Sequence, residues 1–201
     1  PSSGGLTVGQ ILGMLSHFDL PGMNADDPRS WHLLAEASKL AFADRNRYVA
    51  DGDFVSVPAV GLLDTEYLAR RSSFIRQDKS ILTPVVHGLP RGIDRTKYAP
   101  DGQEGRPGTS HISIVDSFGN SVSMTTTIEG AFGSQLMVRG FLLNNELTDF
   151  SFRPTRDGQP VANRIEPRKR PRSSMAPTMA FNADGTLRLV VGSPGGSQII
   201  G

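Results

Sequence analysis

The sequence contains no cysteine among its 201 residues. This absence excludes disulfide bonds, thiolate catalysis and cysteine-ligated zinc sites. The sequence also lacks an apolar run near the roughly 20 residues that cross a bilayer, and a basic and apolar leader in the first residues, Pro1 to Gly5. Because Pro1 is not an initiator and Gly201 directly follows an apolar pair, we expect that both ends were cut from a longer protein.

The sequence also lacks an excess of charge of either sign. The 21 Lys and Arg residues balance 20 Asp and Glu residues, which leaves a net charge of +1. No global field therefore favours nucleic acid or a membrane surface, and any polar partner must be recognised locally. The hydrophobic content of 37% is ordinary for one or two globular domains with a sizeable core.

The first segment of the chain has the apolar spacing of a helix. Apolar residues recur on one helical face through residues 8–18. Thr7 and Gln10 have the spacing of a capping box, in which each side chain caps the backbone of the other. The sequence therefore predicts a helix that begins beside Thr7.

Two further helices are predicted from their first residues. Asp27 followed by Pro28 is typical of a capped helix start with proline in the first turn. Asp64 marks the start of a shorter helix. The apolar side of the second helix is expected to pack in the core, and its residues are Leu33, Leu34, Ala37, Leu40 and Ala41.

The pattern changes in the middle of the chain. Prolines, glycines and charges, among them Gly105 and Pro107, predict a long exposed loop over residues 78–108. Alternating residues rich in Ile, Val, Ser and Thr then predict a hairpin from 110–116 and 120–128. Further predicted strands are 141–143, 178–181 and 187–191. Helices followed by mostly antiparallel strands indicate the α+β class.

Polar clusters lie at the junction of loop and strand and beyond it. They are Gly108-Thr109-Ser110-His111, Thr125-Thr126-Thr127, Asn144-Asn145-Glu146 with Asp149, Ser173-Ser174 and Gly195-Gly196. Taken alone, each has an ordinary interpretation as a strand start, strand residues, a loop or a turn. No lysine follows the two glycines, which argues against a nucleotide-binding loop. His111 is expected to pack within the first strand, because no nearby acid in the sequence pairs with it.

In this order, the clusters resemble the gamma-glutamyltranspeptidases, a family of the N-terminal-nucleophile hydrolase superfamily. The segments that carry the resemblance are Pro1-Ser2-Ser3-Gly4-Gly5, Ala41-Phe42-Ala43-Asp44-Arg45, Thr109-Ser110-His111, Phe141-Leu142-Leu143-Asn144-Asn145-Glu146 with Asp149-Phe150-Ser151, Arg170-Pro171-Arg172-Ser173-Ser174-Met175, and Gly192-Ser193-Pro194-Gly195-Gly196-Ser197. They extend over essentially the whole chain. The resemblance implies a four-layer αββα sandwich that is incomplete at both ends of this chain.

The resemblance also implies that Thr109 is a nucleophile freed by self-cleavage. The Thr109 hydroxyl attacks the carbonyl of Gly108, the acyl group moves from nitrogen to oxygen, and water hydrolyses the ester. Gly108 suits this role because it has no Cβ and tolerates strained dihedral angles. Residues 1–108 then belong to a large subunit and 109–201 to a small one, together in one domain. The freed amine, with an ordinary pKa of roughly 7.7–8.0, is the expected base.

The remaining site residues are implied by the same resemblance. Thr127 is expected to hydrogen-bond the Thr109 hydroxyl, and the backbone amides of Gly195 and Gly196 to form the oxyanion hole. Both charged ends of the acyl donor have expected ligands. They are Ser173 and Ser174 for the α-carboxylate, and Glu146 and Asp149 for the α-ammonium group.

Glu129 departs from the family pattern, which usually has an asparagine there. Three carboxylates then face one ammonium group, which strengthens cation binding, raises one carboxyl pKa or signals a different acyl donor. The stretch between Asp149 and Ser173 is short and has no tyrosine, so lid closure and water exclusion are weakened. The family's carboxylate-binding arginine lies upstream of this chain.

The expected activity is transfer of a gamma-glutamyl group from glutathione or related amides to water or to amino acid and peptide amines. Two alternatives stay open: an acylase with a glutaryl-type or cephalosporin-type donor, and a non-catalytic fragment or uncleaved precursor. No cofactor, metal or membrane span is expected. Nucleic acid is not expected either, since the basic run Arg168-Lys169-Arg170 with Arg172 belongs to the family motif and lacks interleaved aromatics. The resemblance favours a periplasmic or extracellular location.

Overall fold

The computed structural model of the chain describes residues 1–24, 26–93, 97–102 and 108–201. Helices come first, and they are α1 Gly4–Leu15, α2 Pro28–Tyr48, α3 Ala59–Leu62 and α4 Thr65–Ser72. Strands follow, and they are β1 Ser110–Val115, β2 Ser121–Thr126, β3 Met137–Val138, β4 Phe141–Leu142, β5 Thr155–Arg156, β6 Gln159–Pro160, β7 Thr178–Phe181 and β8 Leu187–Val191. Successive strands pair antiparallel, as β1–β2, β3–β4, β5–β6 and β7–β8. This order of elements confirms the predicted α+β class.

By its internal contacts, the chain divides into two compact units. A helical unit contains the described residues of 6–102 together with 151–170. A hairpin unit contains residues 1–5, 108–150 and 171–201. The predicted division at residue 108 concerns a covalent cleavage rather than compactness, and it stays a prediction.

Helix α1 begins one turn earlier than predicted. It starts at Gly4, whose backbone N–H donates to Ser2 Oγ at 3.1 Å. Thr7 and Gln10 therefore lie inside the helix, where both are fully buried, and the predicted capping box is wrong. The reason is a tertiary partner, because Gln10 Nε2 donates to Asp44 Oδ2 at 3.1 Å.

Asp27 and Asp64 start their helices as predicted. Asp27 Oδ1 accepts a hydrogen bond from Arg29 N at 2.8 Å, and Asp64 Oδ1 accepts one from Tyr67 N at 3.0 Å. Each carboxylate satisfies a backbone donor that has no partner inside the helix. The predicted core residues of α2 that are buried are Leu33, Ala37, Leu40 and Ala41.

The sequence predicts an exposed loop over residues 78–108, but parts of this segment are buried in the structure. Tyr98, Ala99 and Asp101 are buried. Gly88 donates its N–H to Asp44 Oδ1 at 2.7 Å, and its carbonyl accepts from Tyr48 OH at 2.7 Å. These bonds hold the loop against the helices. Residues 94–96 and 103–107, including Gly105 and Pro107, lie outside the described residues.

The basic run is tied into the helical unit. The guanidinium of Arg170 reaches Asp51 Oδ1 at 2.6 Å and Asp53 Oδ2 at 2.7 Å. Lys169 Nζ donates to Ala162 O and to Glu166 Oε1, each at 2.7 Å. These residues are therefore engaged in structural contacts.

The two long hairpins follow the prediction closely. In the turn between β1 and β2, Asp116 Oδ1 accepts from the N–H groups of Phe118 and Asn120, both at 2.9 Å. Between β7 and β8, Gly185 adopts φ 84°, which suits glycine. The two-residue strands β3, β5 and β6 were not predicted, because such short pairs leave no alternation to detect. No helix among the described residues is long and apolar enough to span a membrane.

Candidate active site

Two threonine hydroxyls meet at the carbonyl of Gly108. Thr109 Oγ1 donates to Gly108 O at 2.5 Å, and Thr127 Oγ1 donates to the same oxygen at 2.7 Å. The two hydroxyl oxygens lie 3.4 Å apart. The register of the β1–β2 hairpin pairs Ser110 with Thr126, so the residue before one strand and the residue after the other come together.

Gly108 is required here by close packing. A Cβ at this position would collide with the backbone carbonyl of Glu129. Its φ lies outside the left-handed region, unlike that of Gly133 or Gly140. The expectation of strained dihedral angles is therefore not met, and lack of space explains the glycine.

The loop after β2 is held by an asparagine that the sequence analysis did not assign to the site. Glu129 adopts φ 69° and is only 6% exposed. Its Oε2 accepts from Asn145 Nδ2 at 2.5 Å, and Asn145 Oδ1 accepts from Gly130 N at 2.8 Å. Asn145 lies in one of the segments that carry the family resemblance, where an identical neighbour, Asn144, hides its separate role.

Glu146 and Asp149 lie on a short 3₁₀ helix, Glu146–Asp149. Burial, then the charge of Asp149 and its hydrogen bond, and finally the charge of Glu129 raise the pKa of Glu146 to about 7. Burial is the largest cause, and the like-charge repulsion expected among these three carboxylates adds to it. Within the described part of the chain, Glu146 Oε1 is buried and has no hydrogen-bond partner. One oxygen of this acidic cluster is therefore left without a donor among the described residues.

Ser173 lies beside the first residues of the chain. Its N–H donates to Pro1 O at 3.1 Å, and its carbonyl accepts from Ser3 N at 2.9 Å. Its hydroxyl oxygen accepts from Met175 N at 3.1 Å. Ser174 is half-buried next to it.

Gly195 precedes a second 3₁₀ helix, Gly196–Ile200, and Gly196 is its first residue; their φ angles are 132° and 59°. Such angles turn successive N–H groups in directions that other residues rarely allow. Across the described residues, no hydrogen bond joins Ser173, Gly195 or Gly196 to Thr109. The structure therefore brings together the threonines and, separately, the acids, while the serine pair and the glycine pair are placed by their own contacts.

His111 has a structural role in the strands, as predicted. Its Nδ1 lies 2.8 Å from Thr125 Oγ1, and its Nε2 lies 3.0 Å from Ser113 Oγ. The ring also fills the space where a Cβ at Gly192 would stand. These contacts fix the imidazole on the sheet.

The chain matches the gamma-glutamyltranspeptidase family over residues 1–201. The chain is 42% identical to a glutathione hydrolase proenzyme of Bacillus subtilis, with 100% of this chain and 34% of that protein covered. It is 41% identical to a glutathione hydrolase proenzyme of Pseudomonas aeruginosa, with 99% and 35% covered. A crystal structure of cephalosporin acylase from Bacillus halodurans matches with a TM-score of 0.56 and 25% identity, covering 83% of this chain and 26% of the acylase. The chain thus spans about a third of the length of the curated relatives.

Proposed function

Because the chain belongs to the gamma-glutamyltranspeptidase family, we propose that the whole protein is a self-cleaving threonine-nucleophile enzyme. It transfers a gamma-glutamyl group from glutathione or related amides to water or to amino acid and peptide acceptors. The observation that carries this proposal is the pair of hydroxyls, of Thr109 and Thr127, on the carbonyl of Gly108. The names of the relatives, glutathione hydrolase proenzymes, support both the donor and the cleavage.

Self-cleavage begins with attack of Thr109 Oγ1 on the carbonyl carbon of Gly108. The hydrogen bond from Thr127 to the carbonyl oxygen stabilises the negative charge that develops there. The hydroxyl loses its proton as the carbon–oxygen bond forms, the carbon–nitrogen bond then breaks, the nitrogen takes up that proton, and the acyl group is held as an ester. Water hydrolyses this ester and leaves residues 1–108 and 109–201 as parts of two subunits of one domain.

Turnover uses the amine that cleavage exposes. An α-amino group with a pKa of roughly 7.7–8.0 is a suitable base for the neighbouring hydroxyl near neutral pH. Thr109 then takes the gamma-glutamyl group as an ester and passes it to water or to an amine. We assign the oxyanion hole to the backbone N–H groups of Gly195 and Gly196, and donors of this kind contribute about 3 kcal/mol each.

The donor carries an α-ammonium group and an α-carboxylate, and different residues bind each of these two charged groups. Glu146 and Asp149, with Glu129 beside them, bind its α-ammonium group, and the buried, unpartnered Glu146 Oε1 supports this assignment. Ser173 and Ser174 bind its α-carboxylate. Bound in this way, the gamma-carbonyl is oriented toward the nucleophile.

For the architecture, we infer a four-layer αββα sandwich of the N-terminal-nucleophile hydrolase type. The likeness to the cephalosporin acylase supports it. So do the strands, because Ile114, Val122 and Leu189 are about half exposed in this chain and suit a sheet that further layers cover.

A second candidate is an acylase that takes a glutaryl-type or cephalosporin-type amide. Glu129 and the likeness to the cephalosporin acylase favour it. The two candidates differ in the product that they release. A panel of donors, assayed on the whole, cleaved protein, separates them, because only a gamma-glutamyl enzyme releases glutamate from glutathione.

The test of the proposal is Thr109→Ala in the whole protein. We expect intact mass to show no cleavage after incubation and glutathione turnover to be abolished, because both steps use the same hydroxyl. Ser110→Ala, at the exposed neighbouring hydroxyl, is the control and should cleave and turn over as the unchanged protein does. N-terminal sequencing should read Thr109-Ser110-His111 as the start of the second chain. An active enzyme in one piece, or a second chain with another first residue, would overturn the proposal.

A further inference from the structure

Asn145 uses both ends of its side chain to join two segments of the site. Its Oδ1 accepts from Gly130 N at 2.8 Å, while its Nδ2 donates to Glu129 Oε2 at 2.5 Å and lies 3.3 Å from Thr148 Oγ1. Its backbone N–H donates to Ile128 O at 3.2 Å. One residue thus fixes the loop after β2 to the start of the acidic 3₁₀ helix.

This use of Asn145 is unusual for its position. It precedes the 3₁₀ helix Glu146–Asp149, where an asparagine side chain commonly caps the helix, yet it makes no capping hydrogen bond. Asn144 Oδ1 instead accepts from Glu146 N at 3.0 Å. Because the neighbouring residue satisfies the helix start, the Asn145 amide is available for the loop.

Glu129 needs such a partner. Its backbone is in the left-handed region, which side chains other than glycine adopt at a cost, and its carboxylate is buried near the acids Glu146 and Asp149. Like charges push the carboxylate away from the cluster. A lysine or arginine would hold it but would also neutralise it and compete with an incoming ammonium group. An amide N–H holds the carboxylate and leaves its charge intact.

We propose that Asn145 is a positioning residue that holds Glu129 in the acidic cluster and thereby sets the affinity for the donor's ammonium group. This inference rests on the proposed function. It concerns binding rather than chemistry, because the Asn145 side chain bonds to Glu129, Gly130 and Thr148 and not to the hydroxyl of Thr109.

The experiment measures KM and kcat for glutathione hydrolysis in Asn145→Ala and Asn145→Asp variants of the whole protein. We expect KM to rise roughly tenfold, because the Glu129 carboxylate loses the hydrogen bond that holds it in the acidic cluster, and kcat to stay within about threefold. In Asn145→Asp, a further carboxylate faces Glu129. The double variant Asn145→Asp with Glu129→Gln places the carboxylate at residue 145 and the amide at residue 129, which restores the hydrogen bond between them. Its KM should be about tenfold lower than that of Asn145→Asp alone.

The matched control is Asn120→Ala. Asn120 Nδ2 donates to Asp116 Oδ2 at 2.7 Å, which is the same kind of bond in an exposed turn of the same hairpin unit. Its removal should leave KM unchanged.

The outcomes separate the two proposals. If the unchanged protein releases no glutamate from glutathione, the proposed function fails. If it does, but Asn145→Ala keeps its KM or loses only kcat, the inference about Asn145 is wrong. If Asn145→Ala does not fold, the double variant decides, since a KM no lower than that of Asn145→Asp alone overturns the inference.

Discussion

Two acidic side chains, the fully buried Asp44 of the helical unit and the partly buried Glu146 of the hairpin unit, have opposite surroundings. Asp44 is fully buried. It accepts hydrogen bonds from Gly88 N and Tyr67 OH, each at 2.7 Å, and from Gln10 Nε2 at 3.1 Å. The guanidinium of Arg71 lies 3.2 Å away. These partners offset part of the cost of burying this charge, and desolvation still holds the pKa of Asp44 above its ordinary value.

Glu146 lies among acids instead. Burial, followed by the charges of its neighbours Asp149 and Glu129, raises its pKa to about 7. Its Oε1 has no partner among the described residues. The repulsion among these acids destabilises the empty protein, and a cation that bound among them would relieve it.

The contrast separates structural acids from binding acids. A charge with a complete set of donors has no capacity left for a ligand, and its removal leaves those donors without a partner. A charge held among like charges destabilises the empty site, and in the proposed function it attracts an ammonium group. Both residues lie in motifs of the family, and the motif alone does not show which kind each is.

The largest effect is expected at Asp44. Asp44→Ala leaves the buried Arg71 without its carboxylate, and breaking a buried pair in this way costs about 3–5 kcal/mol in the free energy of unfolding. Denaturant unfolding monitored by circular dichroism measures it. Asp53→Ala, whose side chain is 76% exposed, is the control and should change this free energy far less. A loss below about 1 kcal/mol at Asp44 would remove the structural half of the comparison.

Glu146→Gln should have the opposite profile. We expect KM for glutathione to rise about tenfold or more, because one charge that binds the ammonium group is lost, while the free energy of unfolding does not fall. Steady-state kinetics and denaturant unfolding of the same sample test both parts. Glu66→Gln removes a charge whose side chain is 70% exposed, and it should alter neither KM nor stability appreciably. A destabilised variant with normal KM would make Glu146 a structural residue.

The pH dependence follows from the pKa of Glu146, which is about 7 in the folded protein against an ordinary value of 4.5. Because the folded state favours the neutral acid, this group stabilises the fold below about pH 4.5, and the contribution is lost as pH rises toward 7. Donor affinity changes in the opposite direction, since the ionised form binds the ammonium group. We expect KM to fall as pH rises through about 7, and Glu146→Gln to abolish that step. Thermal unfolding of the two proteins should differ most above pH 7, with the variant more stable.

The smallest effect is expected on donor choice at Glu129, measured as a ratio between acyl donors and not as the KM for glutathione. Glu129→Asn supplies the residue that is usual in the family, and we expect the ratio of gamma-glutamyl to other acyl donors to rise a few-fold. Glu129→Gln is the control, because it removes the same charge and keeps the length of the side chain. Unchanged donor ratios in both variants would count against a specificity role for Glu129, and equal changes would assign the effect to charge alone.

Local signals in the sequence predicted the elements whose causes are local. Asp27 and Asp64 start helices because their carboxylates reach backbone N–H groups within three residues. The hairpin of β1 and β2 follows from alternation and its turn, and its register alone brings Thr109 and Thr127 together. This part of the candidate site was therefore within reach of sequence reasoning.

The features that were missed depend on partners that are distant in sequence. Gln10 was read as a cap, but it donates to Asp44, 34 residues away. The loop at Gly88 was read as exposed, but its backbone bonds to Asp44 and Tyr48. Asn145 bonds to Glu129 and Gly130, across 16 and 15 residues. No local pattern specifies these distances, because they are set by how the elements pack.

The packing of Gly108 against the backbone carbonyl of Glu129 has a consequence for the step after the proposed cleavage. Scission turns a neutral amide carbonyl into a terminal carboxylate. We expect the carbonyl oxygen of Glu129 to disfavour the new anion, so that the severed end leaves its position beside Glu129. The same close packing that permits only glycine at residue 108 would then help to clear the space in front of Thr109 for the acyl donor.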